Sequence, residues 1–173
     1  MQAEAKQMRL VDPILMEIDH EAEITKRLLD IIPEDKLSWR PHPKARSLGE
    51  LAMHVATLQG SVAELGQPDR VDVSMIQPDA EASSRAEVLE AFADGLKKAK
   101  NIVGSTDNTR ALAEWTITKD GENLMTLPRA SFWRTVLLNH NYHHRGQLSA
   151  YLRELDVPLP SIYGPSADTN PFA

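Results

Sequence analysis

The hydrophobic positions of the chain fall into four blocks whose spacings of three and four residues are typical of amphipathic helices. The four blocks cover residues 12–32, 47–66, 84–103 and 128–156. Pro33 ends the first block, because a proline cannot continue a helix. Ser47 and Glu50 have the spacing of a capping box, in which each side chain satisfies a free backbone N–H at a helix start. The pattern therefore predicts four helices.

Residues 105–127 break the helical pattern. Residues 115–118 alternate with β-type side chains, Asp120-Gly121 is a tight-turn signal, and residues 124–127 are suited to a returning strand. We expect a small hairpin here. The whole chain then predicts an all-α fold, a four-helix bundle with long connections and a small β-hairpin before the last helix.

Length and charge are those of one ordinary globular domain, which we assign to residues 1–173. The formal net charge is −6, from 19 basic and 25 acidic residues, and no concentrated run of Lys and Arg is present to neutralise phosphates. No apolar stretch approaches the roughly 18–20 residues of a membrane span, and no secretory signal is visible. We therefore expect a cytoplasmic protein without nucleic-acid or membrane partners.

Cysteine is absent from the sequence. Disulfides, thiolate nucleophiles and cysteine-based zinc sites are therefore excluded, and any metal must be held by His, Asp, Glu or water. Six histidines are present, at positions 20, 42, 54, 140, 143 and 144. Three of them fall in one short run of the fourth predicted helix.

His140 and His144 are four residues apart, so they lie about 40° apart around a helix and stack on one face. Zinc sites repeatedly use this spacing, whereas His143 lies roughly 100° away from His144. The alternative is that both histidines are partly exposed in a slightly different register. His54 lies on the apolar stripe of the second helix, where a lone histidine is usually a neutral core residue.

A shared metal ion explains these three histidines better than separate burial does. Burying an imidazole without a partner costs on the order of 1–3 kcal/mol, and one ion would satisfy all three rings together. We therefore predict that His54, His140 and His144 bind one divalent metal ion. Three neutral ligands leave at least one coordination position for water or substrate, as in catalytic zinc sites.

Further candidate residues are less sharply defined by the pattern. Gln147 and Tyr151 share the stripe of the metal ligands and are predicted to bind substrate, although Tyr151 also suits an ordinary core position. Asp19 and Glu23 can serve as a base or as acceptors for the ligands, but such residues are more often the solvated face of a helix. Arg145 lies off the stripe, which favours a surface or dimer role. No catalytic base is identified.

Three aromatic residues, Trp39, Trp115 and Tyr163, fall outside the four predicted helices. They are candidates to line the mouth of a pocket, and a packed lid is the alternative for them.

The run HNYHHRGQLSAYLR, residues 140–153, resembles the HxxHHRGQ motif of the DinB-like (DinB/YfiT) superfamily. Residues 38–41, SWRP, and 47–54, SLGELAMH, are similar to the segment around the histidine of the family's second helix. Residues 157–168, VPLPSIYGPSAD, resemble the closing stretch of many members. The resemblance covers essentially the whole chain.

The resemblance implies a four-helix bundle with a three-histidine site for nickel or zinc, and frequent homodimers. The family's ligands map onto His54, His140 and His144. Characterised relatives include transferases and isomerases that depend on low-molecular-weight thiols. We therefore expect a metal-dependent transferase that acts on a small-molecule substrate with a small thiol cosubstrate.

Two other functions are compatible with the same residues. A metal-dependent hydrolase would use the ion to lower the pKa of bound water towards about 7. A non-enzymatic stress-response bundle would bind the metal or a small ligand without turnover, and purely structural histidines are a further alternative.

Overall fold

The computed structural model describes residues 8–172. Its four long helices are α1 (Asp12–Leu29), α2 (Leu48–Leu65), α3 (Arg85–Gly104) and α6 (Asn139–Glu154), and two short helices are α4 (Asn108–Leu112) and α5 (Arg129–Phe132). A three-stranded sheet contains β1 (Arg70–Asp72), β2 (Glu114–Lys119) and β3 (Glu122–Pro128), in that order. The predicted helical bundle with a small β element before the last helix is confirmed.

The start of α2 has the predicted capping box. The backbone N–H of Glu50 donates to Ser47 Oγ at 3.1 Å, and the backbone N–H of Ser47 donates to Glu50 Oε2 at 2.6 Å. Caps of this kind each contribute about 1 kcal/mol and fix where the helix begins. The start of α2 is important because this helix carries His54.

Helices α2 and α3 approach each other closely at two glycines. A Cβ atom added to Gly60 would lie 2.8 Å from the Cα atom of Gly95, so only glycine permits this backbone contact. One turn further along both helices, Lys98 Nζ lies 3.0 Å from Glu64 Oε1, which shows that the helices run in parallel. This contact holds α2 firmly against its neighbour.

The fourth predicted helix is interrupted by a wide π-helical turn. Helix α5 passes into this turn at Trp133–Leu138, and α6 follows directly. Trp133, Leu137 and Leu138 are buried there, in a cluster with Leu58 and Val62 of α2. A single regular helix over residues 128–156 is therefore wrong in this segment, since π turns form where one extra residue is accommodated.

The sheet contains one strand more than the predicted hairpin. Strands β2 and β3 are antiparallel, and their turn at Asp120 and Gly121 has φ values of 52° and 84°. Strand β1 lies parallel to β2 and was missed because it is a three-residue segment within a polar loop. Helix α1 ends at Leu29, slightly before the predicted end at residue 32.

Two buried apolar clusters divide the bundle interior. On the last helical segment Leu138 belongs to one cluster and Leu148 to the other, and all three histidines of that segment lie between them. On α2, which carries His54, Val55 belongs to the same cluster as Leu148, and Leu58 belongs to the same cluster as Leu138. The histidines therefore lie at the boundary between the two apolar clusters.

In residues 8–172 no helix is long and apolar enough to cross a membrane.

Arg145 is buried, so the predicted surface or dimer role is wrong. Its Nη1 atom lies 2.6 Å from Glu21 Oε2, and the two residues are 1% and 5% exposed. The rings of Tyr142 and Tyr163 lie beside the guanidinium, with centroids at 5.3 and 5.1 Å. The Tyr163 hydroxyl donates to Glu21 at 2.8 Å, which joins α1, α6 and the C-terminal segment.

Candidate metal centre

The three predicted histidines come together between α2 and α6. One ring nitrogen from each of His54, His140 and His144 lies within 4.8 Å of the others, and no other such group of three ligands occurs in the described part of the chain. The Nε2 atoms of His140 and His144 are 2.8 Å apart. The ring centroid of His54 lies 5.3 Å from that of His140 and 4.4 Å from that of His144.

Asp79 orients the imidazole of His54. Its Oδ2 atom lies 2.6 Å from His54 Nδ1, and its Oδ1 atom accepts a hydrogen bond from the Thr57 hydroxyl at 2.6 Å. Because a carboxylate can only accept, Nδ1 carries the proton and Nε2 presents a lone pair. His54 Nε2 is buried and has no hydrogen-bond partner among the described residues. A buried lone pair of this kind is suited to a metal ion.

His144 is held in the same way by Gln147. Its Nδ1 atom lies 3.0 Å from Gln147 Oε1, so Nδ1 donates to the amide oxygen and Nε2 is left free of a proton. Gln147 Nε2 donates to the Tyr151 hydroxyl at 3.3 Å, and the Tyr151 ring meets Trp39 edge-on at 5.6 Å. The two residues predicted to bind substrate thus form a chain that starts at a candidate ligand. Their contact with substrate stays a prediction.

The surroundings favour the neutral form of His140 and His144. Burial lowers the pKa of His144 to about 4, and electrostatic repulsion from His54 acts in the same direction, whereas the hydrogen bond that His144 donates to Gln147 acts to raise this pKa. Burial and the charge of His54 also lower the pKa of His140. Burial raises the pKa of Asp79, but the hydrogen bonds from His54 and Thr57 outweigh burial, so the pKa is below its usual value. At neutral pH the imidazoles of His140 and His144 are therefore neutral and the carboxylate of Asp79 is charged, as metal ligation requires.

The geometry fits a divalent ion with open coordination positions. Both oxygens of Asp79 are engaged by His54 and Thr57, and the described residues offer no fourth ligand to the group. In a tetrahedral site with metal–nitrogen distances of about 2.0–2.1 Å, ligand nitrogens lie roughly 3.3 Å apart. The 2.8 Å separation of the Nε2 atoms of His140 and His144 needs only a small movement of the rings.

The other charged candidates and His143 lie away from the centre. Asp19 Oδ1 lies 2.5 Å from Lys100 Nζ, and Glu23 is exposed, so both belong to the solvated face of α1. His143 is exposed and is not in the group of three, although its ring centroid lies 4.8 Å from that of His144.

The three aromatic candidates lie in different surroundings. Trp115 does not line a pocket mouth, because it is 1% exposed on β2 and stacks on Phe132 with a centroid distance of 3.8 Å. Trp39 lies beside Tyr151, and Tyr163 contacts Glu21. Only Trp39 is therefore near the chain of side chains that begins at His144.

The comparison with known families decides the identity of the fold. A model described as the DinB family matches residues 1–170. The chain belongs to the DinB family. An uncharacterized protein of Bacillus subtilis (strain 168), YrdA, is 25% identical over 162 residues, which cover 91% of this chain and 90% of that protein.

Two solved DinB-like structures share the fold. One, from Bacillus cereus ATCC 10987, has a TM-score of 0.68 and 19% identity, and the match covers 86% of this chain and 95% of that one. The other, YjoA of Bacillus subtilis, has a TM-score of 0.68 and 20% identity, with 87% and 97% covered. The resemblance read from the sequence motifs is therefore confirmed at the level of family and fold.

Asp79→Asn is expected to weaken metal binding roughly 10- to 100-fold, which is the usual effect of altering a partner that orients a metal-binding histidine. The asparagine keeps the size of the side chain but removes the charge that supports the imidazole of His54. Competition with a chromophoric chelator measures the dissociation constant. Asp94→Asn is the matched control, since Asp94 is an exposed carboxylate on the same groove without a contact to His54. Equal affinities for wild type and Asp79→Asn would contradict the role of Asp79.

Proposed function

We propose that this DinB-family protein binds one divalent metal ion at His54, His140 and His144 and uses it to transfer a group with a small thiol cosubstrate. The observation that carries the proposal is the buried, unpartnered Nε2 atom of His54, a residue grouped with His140 and His144, whose own Nε2 atoms are 2.8 Å apart. Nickel and zinc are the ions proposed, because imidazole nitrogen suits both.

The ligand set supports chemistry at an open position. Three neutral imidazoles leave the full charge of the ion in place, and an ion held this way acidifies a bound thiol or water. The chain has no cysteine of its own, so the thiol must come from solution. The resemblance of residues 140–153 to the DinB-like motif implies relatives that include thiol-dependent transferases and isomerases, and this favours transfer over hydrolysis.

The residues around the centre have separate roles in this proposal. Asp79 and Gln147 hold His54 and His144 with their Nε2 atoms free of protons. Tyr151 and Trp39, next to Gln147, form the wall against which the substrate packs. Asp79 has both oxygens engaged, so no described residue is assigned as a general base.

Conjugation of a thiol to 1-chloro-2,4-dinitrobenzene tests the proposal. The sulfur displaces chloride, and a thioether, chloride and a proton are formed. We expect the zinc-loaded or nickel-loaded protein to accelerate this reaction over the uncatalysed rate and the chelator-treated protein not to. The variant His143→Ala changes an exposed histidine outside the group of three, and it should retain the rate of the metal-loaded wild type.

A protein that holds one ion per chain but gives only the background rate would disprove thiol transfer. Hydrolysis of an activated ester by the same metal-loaded sample would then identify the hydrolase. Inactivity in both assays would leave a metal-binding bundle without turnover.

A further inference from the structure

Asp79 belongs to an irregular stretch of the chain, residues 78–82, which we call the Asp79 segment. No backbone hydrogen bond joins this segment to the rest of the described chain. Helices and strands are held in place by such bonds, so the position of this segment depends on its side chains. Ala82, at its end, is 4% exposed and belongs to the same buried apolar cluster as Val55 of α2.

Glu81 anchors the Asp79 segment at the start of α2. Its Oε1 atom accepts a hydrogen bond from the hydroxyl of the buried Ser47 at 2.5 Å. The same hydroxyl oxygen accepts the backbone N–H of Glu50, so the contact with Glu81 is made at the cap of the helix. A carboxylate is favoured there, because the free backbone N–H groups give the N-terminus of a helix a partial positive charge. This contact fixes residue 81 to one point of α2.

Gly49 allows the segment to lie directly on the backbone of α2. A Cβ atom added to Gly49 would lie 3.2 Å from Glu81 Cγ and 3.3 Å from the carbonyl oxygen of Ala82. Ordinary contacts between such atoms are about 3.5–4.0 Å, so a side chain at this position would push both residues outwards. The glycine therefore brings the end of the Asp79 segment close to the first turn of the helix.

Asp79 lies two residues before Glu81 and makes the contact with the metal centre. Its Oδ2 atom lies 2.6 Å from His54 Nδ1, and its Oδ1 atom accepts the Thr57 hydroxyl at 2.6 Å. Two residues of extended chain span at most about 7 Å, so a movement of residue 81 away from Ser47 would carry residue 79 with it. Two carboxylates therefore hold one short segment against one helix, at its cap and at its histidine.

We infer that Glu81 is a positioning residue of the metal centre, which keeps the carboxylate of Asp79 against His54 by holding the Asp79 segment on the start of α2. Ser47 is the only hydrogen-bonding partner of Glu81 among the described residues, so Glu81 acts on the centre through Asp79. The inference rests on the metal binding in the proposed function and is independent of thiol transfer. A ligand of the ion is thus oriented by a hydrogen bond made about two helical turns away.

The zinc affinity of Glu81 variants, measured by competition with a chromophoric chelator at neutral pH, tests the inference. Glu81→Ala removes the acceptor of the Ser47 hydroxyl and is expected to weaken binding about 3- to 10-fold, which is in the range of coupling between neighbouring residues. Glu81→Gln keeps an oxygen acceptor at the same position and should restore the affinity of wild type. Glu90→Ala is the matched control, since Glu90 is an exposed carboxylate on the groove beside Asp79 and lies outside the segment.

A double-mutant cycle separates the positioning of Asp79 from a general effect on α2. The Asp79→Ala variant lacks the carboxylate that is positioned, so adding Glu81→Ala to it should change the zinc affinity by less than about 2-fold. The same loss with and without Asp79 would mean that Glu81 only stabilises the start of α2, and would overturn the inference. Equal affinities of wild type and Glu81→Ala would overturn it as well. A wild-type protein that binds no zinc would instead disprove the metal centre itself, and this inference with it.

Discussion

His144→Ala is expected to lower the affinity for zinc or nickel by at least ~100-fold, so that the purified variant holds no stoichiometric ion. The variant loses one of three nitrogen ligands, and loss of a ligand weakens binding more than loss of its supporting partner, which costs about 10- to 100-fold. Equilibrium dialysis followed by elemental analysis gives the number of ions per chain. Wild type should hold one.

The other histidines of the chain supply the controls for this experiment. His54→Ala removes the ligand from α2 and should give the same loss as His144→Ala. His143→Ala changes the neighbouring exposed ring and should still hold one ion. A His144→Ala protein that binds as much metal as wild type would disprove the assignment of the centre.

Arg145→Met is expected to destabilise the fold by about 3–5 kcal/mol, the usual cost of breaking a buried ion pair from one side. The variant leaves the carboxylate of Glu21 buried at 5% exposure without its 2.6 Å partner. Urea denaturation of the metal-free protein measures the free energy of unfolding without a contribution from the ion.

Two further variants distinguish the ion pair from general damage to the core. Replacing both partners, Glu21→Leu with Arg145→Met, should recover most of the loss, because no unpaired charge remains. Lys26→Met removes an exposed pair with Asp30 on the same helix, 2.8 Å apart, and should cost less than about 0.5 kcal/mol. An Arg145→Met protein as stable as Lys26→Met would refute the expected cost.

The features that could be predicted from the sequence are those with local causes. The capping box of Ser47 and Glu50 lies within one helical turn, and the turn at Asp120-Gly121 needs only the conformational preferences of two residues. The i, i+4 spacing of His140 and His144 places both on one side of a helix whatever surrounds it. For these elements a short stretch of chain holds the whole physical cause.

The features that could not be predicted depend on partners distant in the sequence. Asp79 lies in a polar, proline-rich loop, and nothing in its neighbours indicates that it meets His54, 25 residues away. Arg145 lies off the stripe of the metal ligands, yet α1 packs there and supplies Glu21, 124 residues distant along the chain. The side of α6 that carries Arg145 is buried because α1 packs against it, and the periodicity of a single helix does not indicate this contact.

The wide turn at Trp133–Leu138 sets the phase of everything that follows it. Such a turn accommodates one more residue than an ordinary helix of the same length, and each residue of an α-helix corresponds to a rotation of about 100°. A relative with one residue fewer here can therefore form an ordinary helical turn and still present the positions of His140 and His144 towards α2. A relative that keeps the same number of residues but forms a regular α-helix here would instead present both histidine positions about 100° away from α2.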